Sequence, residues 1–384
     1  MSLKKTTQSS LTAEQLNGYK TVEKFRRILS DKLSRRSAGD IHPTENDPRR
    51  TLACDDFFTL LFFALYNPVL KSMRAITEAS HFAKVQEELS VDSVSLGSFS
   101  EAQHVFDPEL LREIFKDLSG RIAFKPKASD SRLKVFIERM VAVDGSLFDA
   151  LPRMSWAMYQ TQTSNHKVKL HLLFEPLRGG IEDAVLTEGN ACERKALKKL
   201  IRANKMYVGD RYYGLHYDFF KCFTQKKADF VFRIRSNPVY SVVQSHEVCE
   251  QARSYGVIAD KSITFDHDIT GHVWRLVQIE REGKTFMLLT NRNDIDADVV
   301  GMLYRNRWEI ELFFKWMKCI LKCNHFLLES PAGVAAQIYT ALILALLLSS
   351  LTGKKPTLRQ MEAMQLHLMG YLTDEELTRA LLKK

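Results

Sequence analysis

Residues 135–146 read Val-Phe-Ile-Glu-Arg-Met-Val-Ala-Val-Asp-Gly-Ser. The reading of this stretch decides the fold, because the chain changes character here. Upstream, apolar residues recur at helical spacing. From Leu133 onward, short apolar and β-branched runs stop at Gly, Asp or Asn, as strands do. The pattern predicts a strand over 135–143 ending at Asp144. A second strand is expected over 167–174, where Val168, Leu170 and Leu172 alternate with Lys169 and His171, and a third over 182–187. Residues 191–205 then show a helical period with a basic face (Lys195, Lys198, Lys199, Arg202, Lys205), and a fourth strand leads through Tyr207-Val208-Gly209 to Asp210. A helix over 216–226 and a strand over 229–235 follow. This order predicts an α/β chain with a mixed sheet flanked by helices. In such an order the first and fourth strands can lie side by side. Ligand sites form at the carboxyl ends of strands near such a switch point, which would bring Asp144 and Asp210 together.

Working outward, residues 1–130 read as all-helical. Residues 19–36 place Val22, Phe25, Ile28, Leu29 and Leu33 on one side and basic groups on the other. Asp107-Pro108-Glu109 has the cap, first-turn proline and early acid of a helix start. Ser98 to Glu101 reads as a further cap. After the first part of the sheet (131–237), residues 238–295 carry strand-like runs and read as a mostly β insertion. A long helix is expected from 296 to 322 within a second part of the core (296–350), and a helical tail over 351–384.

Composition narrows the function. A chain of 384 residues with 45% apolar and 26% charged residues suits a soluble protein of two or three domains. The net charge of +9 fits a polyanionic partner, with nucleic acid first. Six scattered cysteines read as reduced thiols of a cytoplasmic protein. Cys319, Cys323 and His325 lack a second ligand pair, which argues against zinc. Residues 1–7 have no apolar secretory core. The apolar run 338–351 is too short for a membrane span and reads as a buried helix. No phosphate-binding glycine loop is present, so phosphoryl chemistry would act on a polynucleotide rather than on ATP.

The late helix carries the most informative pattern. Tyr304, Arg307, Glu311 and Lys318 fall at spacings of three, four and seven. On one continuous helix they share ~60° of arc, with Leu312, Phe313, Trp316 and Met317 opposite. A carboxylate among a guanidinium, an ammonium and a phenol suits a metal-bound phosphodiester. If Glu311 joins Asp144 and Asp210, three hard-oxygen ligands would call for Mg²⁺ or Mn²⁺. Two such ions ~3.5–4 Å apart would activate a hydroxyl and stabilise a leaving oxygen. Asp149, Glu182, Asp183, Glu188 and Glu309 are the competing acids. Glu309 lies on a different helical face from Arg307 and Lys318, so Glu311 is preferred.

These residues together resemble the ribonuclease-H-like DDE transposases. The Tyr304, Arg307, Glu311, Lys318 pattern, with Trp308 after the arginine, resembles the insertion sequence 4 family, and the resemblance spans about 90–350. It implies a ribonuclease-H-like sheet with an inserted β region before the last catalytic helix. It implies cut-and-paste transposition: binding of terminal inverted repeats, strand cleavage and joining to target DNA. It further implies that Asp144, Asp210 and Glu311 bind the metals and that Tyr304, Arg307 and Lys318 hold phosphates. Relatives release their element through a hairpin, with a flipped base stacked on an aromatic of the insertion. Phe286 matches that position, Trp274 is a weaker candidate, and Trp308 either packs beside the active-site helix or lines the flipped-base pocket. Arg211 matches the basic residue after the second aspartate, although Asp-Arg-Tyr-Tyr-Gly replaces the usual Asp-Arg-Gly-Tyr.

Lys24, Arg26, Arg27, Arg35, Arg36 and the basic face of 195–205 are the expected DNA contacts away from the metals. The expected partners are double-stranded element ends and target DNA, with a second copy of the chain in a synaptic homodimer, on a bacterial nucleoid and with no membrane. Two alternatives stay open: a DNA-binding protein without turnover, and a nuclease of the same fold that cuts without joining.

Overall fold

Among the described residues, six helices come first: α1 (Gly18–Leu33), α2 (Cys54–Tyr66), α3 (Met73–Ser80), α4 (Ala83–Leu89), α5 (Leu96–Ala102) and α6 (Glu109–Arg121). The sheet region follows as β1 (Met140–Asp149), β2 (Lys167–Glu175), β3 (Gly180–Glu188), α7 (Glu193–Leu200), β4 (Met206–Gly214), α8 (Lys221–Gln225) and β5 (Asp229–Ile234). Next come β6 (Tyr240–His246), α9 (Glu250–Tyr255), β7 (Val257–Phe265), β8 (Trp274–Arg281) and β9 (Lys284–Thr290). The chain closes with α10 (Ala297–Asn306), α11 (Trp308–Ile320), α12 (Pro331–Thr352), α13 (Leu358–Leu368) and α14 (Asp374–Leu382). This computed structural model describes residues 18–37, 45, 47–122, 130–157, 159, 166–214, 216–266, 268, 271–320, 326–352 and 355–382. The readings made on residues 1–17, 321–322, Cys323 and His325 lie outside those residues.

Two compact units divide the chain: residues 1–123 with 316–384, and residues 124–315. The described part of the first is all helical. The apolar side of α1 lies on α2, with the Phe25 and Phe62 rings stacked 4.3 Å apart. Helix α12 is apolar on every side, as a helix enclosed by others must be. It packs against α2 and α6. Its stretch 331–350 is long and apolar enough by composition to cross a membrane, but 89% of it is buried within the protein. It is thus longer than the run 338–351 legible in the sequence. The cap expected at 98–101 is Ser95 instead, whose hydroxyl accepts the Ser98 N–H at 3.1 Å.

The second unit is built on one nine-stranded sheet with the order β3-β2-β1-β4-β5-β9-β8-β7-β6. Strands β1, β4 and β5 are parallel, and β2 runs antiparallel to β1. This is the ribonuclease-H-like arrangement expected. The insertion does not stand apart, because β9 pairs antiparallel with β5 and extends the same sheet through the β8, β7, β6 meander. Arg275 anchors the return to α10. It pairs through two bonds with Asp260 (2.9 and 2.7 Å) and donates to the Ile295 carbonyl at 2.6 Å.

Side chains alternate across the sheet, and each face has its own core. Val141, Val143, Tyr207, Tyr213 and Phe232 pack with α7 and α8 residues such as Leu197 and Phe223. Met140, Met206, Val208 and Val231 pack on the other face with Val299, Val300 and Leu303 of α10.

Two boundaries differ from the sequence reading. The first strand starts at Met140, not Val135. Residues 131–136 form a tight 3₁₀ turn instead, capped by Asp130 accepting the Arg132 N–H at 2.9 Å, with Leu133 and Phe136 buried three residues apart. Asp144 therefore lies within β1, and Asp210 within β4. The late helix is not continuous either. It breaks at Arg307, where Arg307 N–H donates to Tyr304 O and Ile310 N–H to Arg307 O, both at 3.1 Å. These three-residue bonds tighten the chain locally and separate α10 from α11.

Candidate active site

Strand parity assembles the centre. Met140, Ala142 and Asp144 project to one side of β1, and Met206, Val208 and Asp210 project to the same side of β4. The β1–β4 ladder runs in parallel register up to Val143 opposite Gly209. Asp144 and Asp210 are the next pair, so their carboxylates stand side by side on the α10 face. At this point β4 also leaves β5, whose register shifts between Gly209 and Gly214. The strands splay where the acids emerge. Gly209 permits the close approach beneath them, since a Cβ there would collide with the Phe232 ring.

Backbone amides hold both aspartates. Gly145 N–H donates to Asp144 Oδ1 at 2.8 Å, and Tyr212 N–H to Asp210 Oδ1 at 2.9 Å. Burial pushes the Asp144 pKa up to about 7, and the Asp210 charge pushes in the same direction. The Gly145 N–H and Arg307 oppose the shift, while Glu193 adds to it. Two hard-oxygen carboxylates that repel each other in a half-buried place fit a divalent cation.

Arg307, at the helix break, is the cation nearest in effect to this pair. Its guanidinium donates to Glu311 Oε1 at 2.6 Å. Its Nε is buried and makes no hydrogen bond among the described residues. Glu311 is therefore engaged by Arg307. Among the described residues, no three His, Cys, Asp or Glu side chains group closely enough to hold a metal ion. Lys318 falls in the helical unit and not in the unit that carries Asp144, Asp210 and Glu311.

A cavity of about 340 Å³ opens beside Arg307. Tyr304, Arg307, Trp308 and Phe286 line it, together with Arg233 and Tyr255. The Arg233 guanidinium lies over the Phe286 ring, 4.6 Å from its centre, and Tyr304 stands 6.3 Å from the same ring. Trp308 is 56% exposed. Four of the residues singled out in the sequence thus share one cavity. The alternative Trp274 does not, because it is buried among Phe220 and Phe230. Arg211 is exposed on β4, next to Asp210.

Three of the competing acids have other work. Glu182 pairs with Lys205 at 2.7 Å, Asp183 with Arg202 at 3.1 Å, and Asp149 with Lys167 at 2.7 Å. Those pairs also occupy two cations expected to line DNA. Arg26 and Arg36 are likewise tied, to Asp56 and Glu45, both at 2.8 Å. Sequence reasoning missed Arg233 and Tyr255, which carry no local signal. It also missed Glu193, which acts on both aspartates.

A family model described as Transposase DDE domain matches residues 136–348, more than half of the chain. The chain belongs to that family. The "Putative transposase y4zB" of Sinorhizobium fredii is 28% identical over 182 residues, 46% of this chain and 51% of the relative. The "Probable transposase for insertion sequence element IS5377" of Geobacillus stearothermophilus is 23% identical over 252 residues, 62% of this chain and 64% of the relative. The chain thus spans about half of the first and under two thirds of the second. A cryo-EM structure of the piggyBac transposase synaptic complex with hairpin DNA is 15% identical with a TM-score of 0.41, over 97% of this chain and 81% of that one. The DDE resemblance of the strand and helix pattern is borne out by the family match.

Proposed function

We propose that this DDE-family chain is a DNA transposase that cuts element ends and joins them to target DNA. The observation that carries the reading is the Asp144–Asp210 pair on adjacent parallel strands, on the sheet face that also carries α10. Asp144 and Asp210, with Glu311 as the third ligand, would hold Mg²⁺ or Mn²⁺, in one or two ions. The metal would supply a deprotonated attacking hydroxyl and charge stabilisation at the leaving oxygen.

The chain's own residues do the rest. Arg307, with a buried Nε that has no partner among the described residues, presents a planar fork suited to a phosphate. Tyr304 is a further phosphate contact, and Arg211 lies beside the second aspartate. The Phe286, Trp308 cavity accepts an unstacked base: aromatic stacking offers about 1–3 kcal/mol, against a flipping cost of a few kcal/mol. That cavity supports a hairpin route. The substrate is double-stranded DNA at inverted repeats, handled by two copies of the chain in a bacterial cytoplasm.

The test is Mg²⁺-dependent cleavage of duplexes carrying the element's own terminal repeats. Wild-type protein should cut and join them, and Glu311→Gln should bind but not cut. Equal cleavage by both would remove Glu311 from the centre. The Glu311–Arg307 ion pair favours one second reading, a DNA-binding protein without turnover. Absence of cleavage by the wild type, with salt-sensitive binding retained, would select it.

A further inference from the structure

On the sheet face opposite α10, one more carboxylate reaches the aspartate pair from behind. Glu193 is the first residue of α7. In sequence it is fully explained as a first-turn acid on an otherwise basic helix. Its side chain nevertheless turns into the sheet, where it is only 13% exposed. A Cβ on Gly145 would stand 2.9 Å from Glu193 Cδ and Oε1. The carboxylate therefore occupies the space that any other residue after Asp144 would fill. Lys169 Nζ lies 3.4 Å from Glu193 Oε1 and also donates to the Ala191 carbonyl at 3.1 Å. Burial pushes the Glu193 carboxyl up, while Lys169 and, more weakly, the buried Tyr213 hydroxyl facing it favour the charged form. Gly145, Lys169 and Tyr213 sit at alternating positions of β1, β2 and β4 on the face away from Asp144 and Asp210. Glu193 is thus clamped between two partners and pressed against the backbone that carries Asp144.

We propose that Glu193 is a positioning residue for the Asp144–Asp210 pair. Its negative charge, admitted by Gly145 and held by Lys169, strengthens the pair's grip on a divalent cation without touching it. The inference rests on the metal-dependent reading above. A unit charge close behind a divalent ion improves binding about fivefold even when strongly screened. The geometry also ties the α7 face of the sheet to the centre on the α10 face.

The experiment is a Mn²⁺ titration of the full chain without DNA, reading free ion by electron paramagnetic resonance. Thermal unfolding is followed alongside. Glu193→Gln should fold cooperatively and bind Mn²⁺ about fivefold more weakly. Glu193→Asp, which keeps the charge, should stay within about twofold of wild type. Equal affinity in wild type and Glu193→Gln overturns the proposal, and so does an Asp variant as weak as the Gln variant. Should Glu193→Gln not fold, Tyr213→Phe removes only the hydroxyl that faces the carboxylate and favours its charged form. It should weaken binding about threefold, and unchanged binding overturns the proposal equally. No Mn²⁺ binding by the wild type would remove the metal-dependent reading as well, which separates the two failures.

Discussion

The two halves of the nine-stranded sheet carry opposite chemistry. Strands β1–β5 hold the sheet's parallel pairings, β1 with β4 and β4 with β5, and gather negative charge: Asp144, Asp210 and, from behind, Glu193. The β6–β9 meander is antiparallel, and its junction with β5 and α10 gathers rings and cations: Arg233, Tyr255, Phe286, Tyr304 and Arg307. The net charge of +9 is therefore not spread evenly over function. Cation-seeking and polyanion-seeking groups sit on one rigid layer, divided at the seam between β5 and β9. Parallel strands that splay at a glycine suit paired acids, while an antiparallel edge facing a helix suits a lined cavity.

The largest effect expected in either half comes from the acids. Asp144→Asn should lower strand cleavage on the order of a thousandfold, ~4 kcal/mol of barrier, as measured by single-turnover assays. Cleavage at wild-type rate would break the contrast outright. In the meander, Arg275→Met should cost about 3–5 kcal/mol of stability in denaturant unfolding, because it leaves Asp260 charged and buried. That loss should reflect folding alone, since Arg275 lies away from the acids.

The third expectation concerns pH. The folded chain keeps the Asp144 proton up to about pH 7, whereas an unfolded aspartate releases it near ~3.9. Between these values the native state binds more protons, so stability should fall as pH rises through that window and level off above it. The drop should be roughly 2–4 kcal/mol and should vanish in Asp144→Asn. Added Mg²⁺ should flatten it, since the cation favours the charged form. The smallest effect belongs to the cavity. Phe286→Ala should weaken binding to element-end DNA by about 1–3 kcal/mol in equilibrium titrations while leaving cleavage of pre-nicked ends near normal.

Much of the first half was legible in sequence because period-two alternation and strand ends are local signals. Asp144, Asp210 and the order of the first five strands came from those. The later cavity residues came one by one, Tyr304 and Arg307 through their spacing and Phe286 and Trp308 through the resemblance to the transposase family. Their meeting in one cavity depends on β9 pairing with β5, a contact between residues far apart in the chain. The β6 strand and α9 were missed because short exposed segments carry weak periodicity. The break at Arg307 was invisible, since no proline or glycine marks it. Glu193 was hidden for a different reason. A first-turn acid looks the same whether it points to water or into a sheet, and only the missing side chain of Gly145 opens the inward route.

The β5–β9 seam has just three registered rungs, Val231 with Thr290, Phe232 with Leu289 and Arg233 with Leu288. A slip by one residue would turn Phe286 to the opposite side of the sheet and present a neighbour in its place. The seam therefore acts as a gauge: hydrogen bonds, rather than a hinge, set how far the cavity lined by Phe286 sits from the Asp144 and Asp210 carboxylates.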